Sequence, residues 1–317
     1  LRYKPPSDDM GLSCEIKDTT FEYKFSLYNV KLDYDDFIIR DDYANRDPGS
    51  IEVMTNYSSN QWNPMGDNPP LTQKASAIDL IPDEFKNTQH DYPFKGNIDL
   101  DKLEELLKGP ESEKVPFVLM TITNNTGGGQ PVSMDNLKKV KDLCSKYNKM
   151  FLLDACRFAE NAWFVSQRED KYKDVEIRDI AKEAFRLADG CTISLKKDGF
   201  GNIGGLLALN DDSLAEAARN LLILTEGFPT YGGLAGRDLD ALAQGLKEIT
   251  DKNYLEYRAR SISYLGEKAI SYGIPVVQPA GGHALYIDAK TFLPDIPPHE
   301  YPGHSVACEI YLLSLIH

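Results

Sequence analysis

Two apolar stretches set the architecture of this chain: Pro116-Phe-Val-Leu-Met-Thr-Ile-Thr and Met150-Phe-Leu-Leu-Asp-Ala. Each has the length and composition typical of a strand buried inside a sheet. Between them, Ser133 is placed to cap a helix that carries Leu137 and Val140 on one face. Strands that alternate with helices of this length indicate a mostly parallel sheet covered on both faces.

The same alternation continues on both sides of these stretches. An amphipathic segment over 99–108 is stopped by Gly109-Pro110, and further strands are predicted over 191–195 and 203–209. The remaining predicted helices cover 177–188, 213–224, 237–249 and 254–272. The predicted fold class is therefore α/β, with a large domain over 78–272.

The two ends of the chain follow other patterns. Residues 1–77 alternate apolar and polar side chains as strands do, carry no chemical motif and stay unassigned. After Gly273, the segments Pro275-Val-Val-Gln and His283-Ala-Leu-Tyr-Ile-Asp suggest strands of a smaller α+β domain, of which 273–317 would be the start. Because the chain opens on Leu1 and ends in an apolar run, we expect it to be a piece of a longer protein.

Composition and charge exclude several classes of protein. The 317 residues are 42% hydrophobic and 26% charged, which is ordinary for a soluble globular chain, and no run approaches the length of a membrane helix. A net charge of −14 argues against electrostatic binding to nucleic acid or to an anionic membrane. The five cysteines form no CxxC pair, so a reducing compartment, the cytoplasm, is expected.

Polar residues follow three of the predicted strands, where ligands collect in a parallel sheet. Asp154 ends one strand and Arg157 follows it, Asn125 opens a glycine-rich loop after another, and Lys196-Lys197 follow the third. A lysine can hold the aldehyde of pyridoxal 5′-phosphate, and a carboxylate can keep its pyridine nitrogen protonated. Arg157 or Asn125 could donate to its 3′-oxygen.

Each feature also has an ordinary structural explanation. Asp154 could cap a helix, the lysine pair could be a solvated turn, and glycines serve tight turns in general. His283, in Gly-Gly-His, fits the edge of a strand. No His/Cys spacing suggests a metal site, and neither GxGxxG nor a P-loop is present. The residues alone leave both explanations open.

Longer strings, in order along the chain, resemble the β-eliminating lyases, the family of tryptophanase and tyrosine phenol-lyase. The resemblance covers about residues 78–316, and the segments at 157–162 and 226–231 are closer to tryptophanase. The strings are Tyr92-Pro-Phe-Lys-Gly-Asn, Gly128-Gly-Gln-Pro-Val-Ser, Asp154-Ala-Cys-Arg-Phe-Ala-Glu-Asn-Ala, Ser194-Leu-Lys-Lys-Asp, Glu226-Gly-Phe-Pro-Thr-Tyr-Gly-Gly, Gln278-Pro-Ala-Gly-Gly-His-Ala and Pro294-Asp-Ile-Pro-Pro-His-Glu-Tyr-Pro.

The resemblance implies an aminotransferase-like large domain that binds pyridoxal 5′-phosphate, followed by part of a small α+β domain. It implies cleavage of L-tryptophan to indole, pyruvate and ammonia. Tyrosine phenol-lyase activity and a non-catalytic homologue that serves as a structural subunit are the alternatives. A homotetramer and a potassium ion would accompany the activity.

The resemblance also assigns roles to residues. Lys197 would hold the cofactor and abstract the substrate Cα proton, with Lys196 beside it and Ser194 near the cofactor phosphate. Asp154 would pair with the pyridine nitrogen and Arg157 with the 3′-oxygen. The two remaining assignments are Asn125, at a cofactor oxygen or the substrate carboxylate, and Asn202, a backbone ligand of the monovalent cation.

The sequence departs from the family pattern in three places. The Gln-Gly-Arg-Gly loop for the cofactor phosphate and the aromatic residue that stacks on the ring, both expected before Phe94, have no counterpart. The stretch with the catalytic tyrosine and the C-terminal arginine for the substrate carboxylate are likewise not in the printed sequence.

Overall fold

The computed structural model describes residues 78–125, 127–225 and 233–314, and before them the backbone of five strands. The strands are β1 (Ser13–Asp18), β2 (Phe21–Ser26), β3 (Phe37–Ile39), β4 (Glu52–Thr55), β5 (Ala75–Ser76), β6 (Phe117–Thr121), β7 (Met150–Asp154), β8 (Gly190–Ser194) and β9 (Gly205–Leu209). The helices are α1 (Leu100–Lys108), α2 (Met134–Lys146), α3 (Phe158–Arg168), α4 (Ile177–Leu187), α5 (Asp212–Thr225), α6 (Gly236–Glu248), α7 (Lys252–Ser271), α8 (Ala289–Phe292) and α9 (Pro302–Ser314).

The described elements divide into two compact units. The first unit contains β1, β2 and the elements within Ile81–Tyr286. The second contains the antiparallel sheet β3-β4-β5 and the helices α8 and α9, of which α8 is capped by Asp288. Among the described residues, no helix combines the length and the apolar composition needed to cross a bilayer.

A six-stranded sheet forms the centre of the first unit, in the order β1-β2-β9-β8-β7-β6. Strands β6, β7 and β8 are parallel, which confirms that 116–123, 150–154 and 191–195 share one sheet. Strand β9 is antiparallel to β8 because the short connection between them leaves no room for a crossover helix. Strand β6 is outermost, and its Phe117 and Leu119 are 44% and 49% exposed.

Local capping explains where two of the predicted helices begin. The side chain of Asp99 accepts hydrogen bonds from two backbone N–H groups at the start of α1. Ser133 accepts from the N–H of Asn136 at the start of α2, as predicted. The apolar faces of these helices place fully buried side chains, such as Leu103 and Leu137, in the core.

Helix α3 was not predicted, and its capping group comes from elsewhere in the chain. Its N-cap residue, Arg157, makes no capping bond with its side chain. Instead, Asp198 Oδ2 accepts from the backbone N–H groups of Ala159, at 2.9 Å, and Glu160, at 3.3 Å. The loop after β8 therefore supplies a hydrogen-bond acceptor for the free backbone N–H groups at the start of α3, the helix after β7.

The prediction of strands over 275–278 and 283–288 was wrong. The two segments share one backbone bond, from Val277 N–H to Tyr286 O at 2.8 Å, and form no named strand. Their polar groups are used elsewhere in the first unit: Lys95 Nζ donates to Gln278 O and Gln130 Nε2 donates to Pro279 O, both at 2.8 Å. The first unit therefore includes 273–286, although the division into 1–77, 78–272 and 273–317 stays a prediction.

Candidate active site

The candidate site lies on the loops that leave the carboxyl ends of β6, β7 and β8. These ends are in register, since Thr121 pairs with Asp154 and Asp154 pairs with Thr192. The register continues into the loops: Ile122 N–H donates to Asp154 O at 2.9 Å, and Ala155 N–H donates to Thr192 O at 2.8 Å. The loops with Asn125, with Asp154 and with the lysine pair therefore start side by side.

Cys156 joins the aspartate loop to the lysine loop. Its N–H donates to Asp154 Oδ1 at 3.3 Å, and its Sγ accepts from Ser194 N–H at 3.1 Å. Its carbonyl oxygen accepts from Asp198 N–H at 3.3 Å. Burial, together with the neighbouring Asp154, raises the pKa of the Cys156 thiol to about 11, so at neutral pH it is an uncharged spacer.

The lysine loop is held by its own backbone. Leu195 N–H donates to Gly204 O at 2.9 Å, and Gly201 N–H donates to Leu195 O at 3.0 Å. Gly204 has a φ of 107°, a conformation that glycine adopts without strain. Within this loop Lys197 is half-buried and Lys196 is exposed. The two lysines therefore differ in environment.

Asn125 lies at the entrance to a glycine loop that is packed against a second one. The backbones of Asn124 and Gln130 bond to each other in both directions, at 2.7 and 2.9 Å, and so close the first loop. The Cα of Gly281 lies close to the backbone of Gly128 and Gly129, since a Cβ there would lie 2.9 and 2.7 Å from their carbonyl oxygens. This contact brings the segment around His283 to Asn125.

Two side chains from that segment contact the amide of Asn125. Tyr286 Oη donates to Asn125 Oδ1 at 2.6 Å, and His283 Nε2 lies 3.0 Å from the same oxygen. Burial raises the pKa of Tyr286, an effect that the positive charge of Arg157 opposes. The phenol therefore stays a hydrogen-bond donor at neutral pH.

A chain of buried charges continues from His283 to the lysine loop. His283 Nδ1 lies 2.8 Å from Glu160 Oε1, and the guanidinium of Arg258 bonds to both Glu160 and Asp198. The Glu160 and Asp198 side chains are only 2% and 1% exposed. Asp198, which directly follows Lys197, is thereby connected to Asn125 through side chains alone.

The structure brings together six of the seven predicted site residues. Asn125, Asp154, Arg157, Ser194, Lys196 and Lys197 all lie at the carboxyl edge of the three parallel strands. Asn202 is exposed in the connection between β8 and β9. Among the described residues, no group of three His, Cys, Asp or Glu side chains could hold a metal ion.

Sequence patterns do not identify Glu160, Arg258 or Tyr286 as site residues. The prediction that His283 lies at the edge of a strand is wrong, because its segment forms no strand. One signal did exist. Glu160 interrupts the otherwise largely apolar run Phe158-Ala-Glu-Asn-Ala-Trp-Phe-Val, and a carboxylate at such a position is buried and needs a cationic partner. The sequence did not show which cation, because Arg258 is 98 residues away.

Comparison with known proteins identifies the family of this chain. A family model described as beta-eliminating lyase matches residues 52–307. The chain belongs to the β-eliminating lyase family. Membership confirms the resemblance and the predicted α/β fold class, and the match begins upstream of residue 78, where the resemblance in the sequence begins.

Individual relatives agree with the family assignment. The chain is 58% identical over 237 residues to a protein named tryptophanase from Hyphomonas neptunium, a match that covers 75% of this chain and 52% of that protein. It is 58% identical to a tryptophanase from Salinibacter ruber, over 75% of this chain and 50% of the relative. It is 48% identical to a tyrosine phenol-lyase from Pasteurella multocida, over 75% and 52%. The chain thus spans about half the length of these relatives.

Proposed function

We propose that this chain is the cofactor-binding part of a pyridoxal 5′-phosphate-dependent lyase that cleaves L-tryptophan to indole, pyruvate and ammonia. One observation carries the proposal: Asp154 ends β7 and Lys197 follows the adjacent parallel strand β8, and the loops after the two strands are joined through Cys156. An amine and a carboxylate at neighbouring strand ends are the two groups that this cofactor requires.

The chemistry of the donor set fits the cofactor. When bound, pyridoxal 5′-phosphate supplies the electron sink that stabilises negative charge at the substrate Cα. Lys197 would hold the cofactor through its amine and, once released, carry the Cα proton. Asp154 would pair with the pyridine nitrogen, and Arg157 would donate to the 3′-oxygen.

Three further residues would orient the cofactor and substrate. Asn125 would bind a cofactor oxygen or the substrate carboxylate with its amide, and Ser194 and Lys196 would lie near the phosphate. The half-buried position of Lys197 favours it over the exposed Lys196 as the covalent anchor.

The relatives support the choice of tryptophan over tyrosine. Two proteins named tryptophanase are 58% identical to this chain, whereas a tyrosine phenol-lyase is 48% identical over a similar span. We therefore propose indole as the leaving group and keep phenol as the second candidate. A homotetramer, a potassium ion bound in part by the backbone of Asn202, and a cytoplasmic location belong to the same proposal.

A non-catalytic homologue is the alternative from another class. The printed sequence has no Gln-Gly-Arg-Gly phosphate loop, which favours that alternative. The half-buried set of Lys197, Asp154 and Arg157 argues against it, since a scaffold needs no such set at one sheet edge.

Reductive trapping tests the proposal on this chain. The chain is incubated with pyridoxal 5′-phosphate, reduced with borohydride and digested, and the labelled peptide is identified by mass spectrometry. We expect the label on Lys197, its loss in Lys197→Ala and its retention in the matched control Lys196→Ala. A label on Lys196, or none, would overturn the assignment of the anchor.

Pyruvate release tests the reaction and the substrate. Faster release from L-tryptophan than from L-tyrosine is expected. Faster release from L-tyrosine would replace tryptophan by the second candidate. No release from either, with Lys197 unlabelled, would favour the non-catalytic homologue.

A further inference from the structure

The buried charges behind the site connect its two sides through one side chain. Arg258 lies in α7, and its side chain is 20% exposed. Its Nη1 lies 3.2 Å from Asp198 Oδ1, and its Nη2 bonds to Glu160 Oε2. Asp198 belongs to the lysine loop, and Glu160 leads through His283 to Asn125.

The two carboxylates depend on this guanidinium. Burial raises the pKa of Asp198, and Arg258 opposes that shift by favouring the ionised form. Asp198 and Glu160 also repel each other. Two backbone N–H groups at the start of α3 also donate to Asp198 Oδ2, at 2.9 and 3.3 Å, and so favour its negative charge. Without Arg258, one carboxylate would have to bind a proton or move.

Glu160 has little freedom to adapt. Its Oε2 is bound by Arg258 and its Oε1 by His283 Nδ1, so each oxygen has one partner. The Cα of Gly282 lies against the same side chain, since a Cβ there would come within 2.6 Å of Glu160 Cδ. The guanidinium therefore fixes the carboxylate, and the carboxylate fixes Nδ1 of His283 as the donor.

His283 and its neighbour Tyr286 in turn contact Asn125. His283 Nε2 and Tyr286 Oη both face Asn125 Oδ1, at 3.0 and 2.6 Å. His283 Nε2 also lies 3.1 Å from Tyr286 Oη, so the imidazole ring packs against both partners of this contact. The ring of His283 therefore supports the Tyr286–Asn125 hydrogen bond.

We infer that Arg258 is a positioning residue for the reaction proposed above: it holds Asp198 beside Lys197 and, through Glu160, it holds the ring of His283 against Asn125. The inference rests on the proposed function for its role in the reaction. The contacts that carry it are independent of any cofactor.

The first arm of the test needs no cofactor. Nitrogen-15 spectra of the histidine rings report which ring nitrogen carries a proton, and His283→Gln assigns the signals of His283. We expect Arg258→Met to change these signals. Arg260→Met is the matched control, because Arg260 is in the same helix, is 79% exposed and pairs with Glu256. If Arg258→Met does not fold, Arg258→Lys is measured instead, because lysine keeps the charge but loses the simultaneous contact of the guanidinium with Glu160 and Asp198.

The second arm measures coupling to Asn125. Cofactor dissociation constants are compared for the wild type, Arg258→Lys, Asn125→Ala and the double variant. We expect each single change to raise the dissociation constant about tenfold. The double variant should raise it by far less than the product of the two single effects, as for residues that act through one another. The control is Arg260→Lys, which should leave the constant unchanged.

The outcomes separate the inference from the proposed function. Unchanged His283 signals in a folded Arg258 variant would overturn the inference, as would single effects that multiply in the double variant. Failure of the wild type to label Lys197 would overturn the proposed function, and the histidine spectra would still decide whether Arg258 controls His283.

Discussion

The substitution Gly281→Ala tests the close contact between the two glycine loops. A Cβ on Gly281 would lie 2.7 Å from the carbonyl oxygen of Gly129, 2.9 Å from that of Gly128 and 3.0 Å from the Cα of Gly129. All three are backbone atoms, so no flexible side chain can move away. One of the two loops must shift.

The expected loss of stability follows from this geometry. Adding a methyl group to a well-packed region destabilises a protein by about 1–3 kcal/mol when the surroundings cannot yield. Because the contact involves backbone on both sides, we expect a value in the upper half of that range. The shift should also move the loop of Asn125, so that cofactor binding weakens together with stability.

Urea unfolding, followed by circular dichroism, measures this loss, since the midpoint and slope give the free energy of unfolding. The matched control is Gly236→Ala, at the first position of α6, where a Cβ would meet nothing within 4 Å. Alanine there should be neutral or stabilise by about 0.4–1 kcal/mol, because it restricts the unfolded chain. If Gly281→Ala unfolds at the same urea concentration as the wild type, the reasoning about the two loops is wrong.

Three further predictions concern the core, an ion pair and a thiol. Leu103→Ala, at a fully buried position, should lower the free energy of unfolding by about 2–5 kcal/mol in the same urea assay. Glu104 accepts from Lys146 Nζ at 2.6 Å, which lowers its pKa from 4.5 to about 2. Its contribution is therefore present above pH 4.5 and lost as the pH falls toward 2, so the gap between the wild type and Glu104→Gln in urea should close in acid. Cys156, with its pKa near 11, should react with iodoacetamide much more slowly than the exposed Cys308 at about pH 8, as read by mass spectrometry; equal rates would contradict the burial of Cys156.

The parts of the fold that sequence patterns predicted are those encoded by neighbouring residues. Strands β6 and β7 are almost continuous apolar runs, and Ser133 caps α2 from one position before it. Helix α3 was not predicted because its cap is Asp198, which lies about forty positions further along the chain. The strands predicted after Gly273 failed for the opposite reason, since their backbone groups bond to distant residues such as Lys95 rather than to a neighbouring strand.

Sequence patterns likewise predicted some residues of the site and not others. Asp154 and Lys197 could be found because strand ends in a parallel sheet meet at one edge, so their positions follow from the order of elements. Arg258 and Glu160 could not be paired from the sequence, because nothing in the pattern of α7 distinguishes its two arginines. Only the packed chain shows which of them is buried against two carboxylates.

The position of β6 has a consequence for work with this chain in solution. An outer strand offers unpaired backbone groups to any other strand, and apolar side chains on it favour sheet-to-sheet association between molecules. The exposed Phe117 and Leu119 give β6 both properties in the part of the chain that is described. The apparent molecular mass from light scattering should therefore rise with protein concentration. Replacing Leu119 by lysine should suppress that rise while leaving the buried face of the sheet intact.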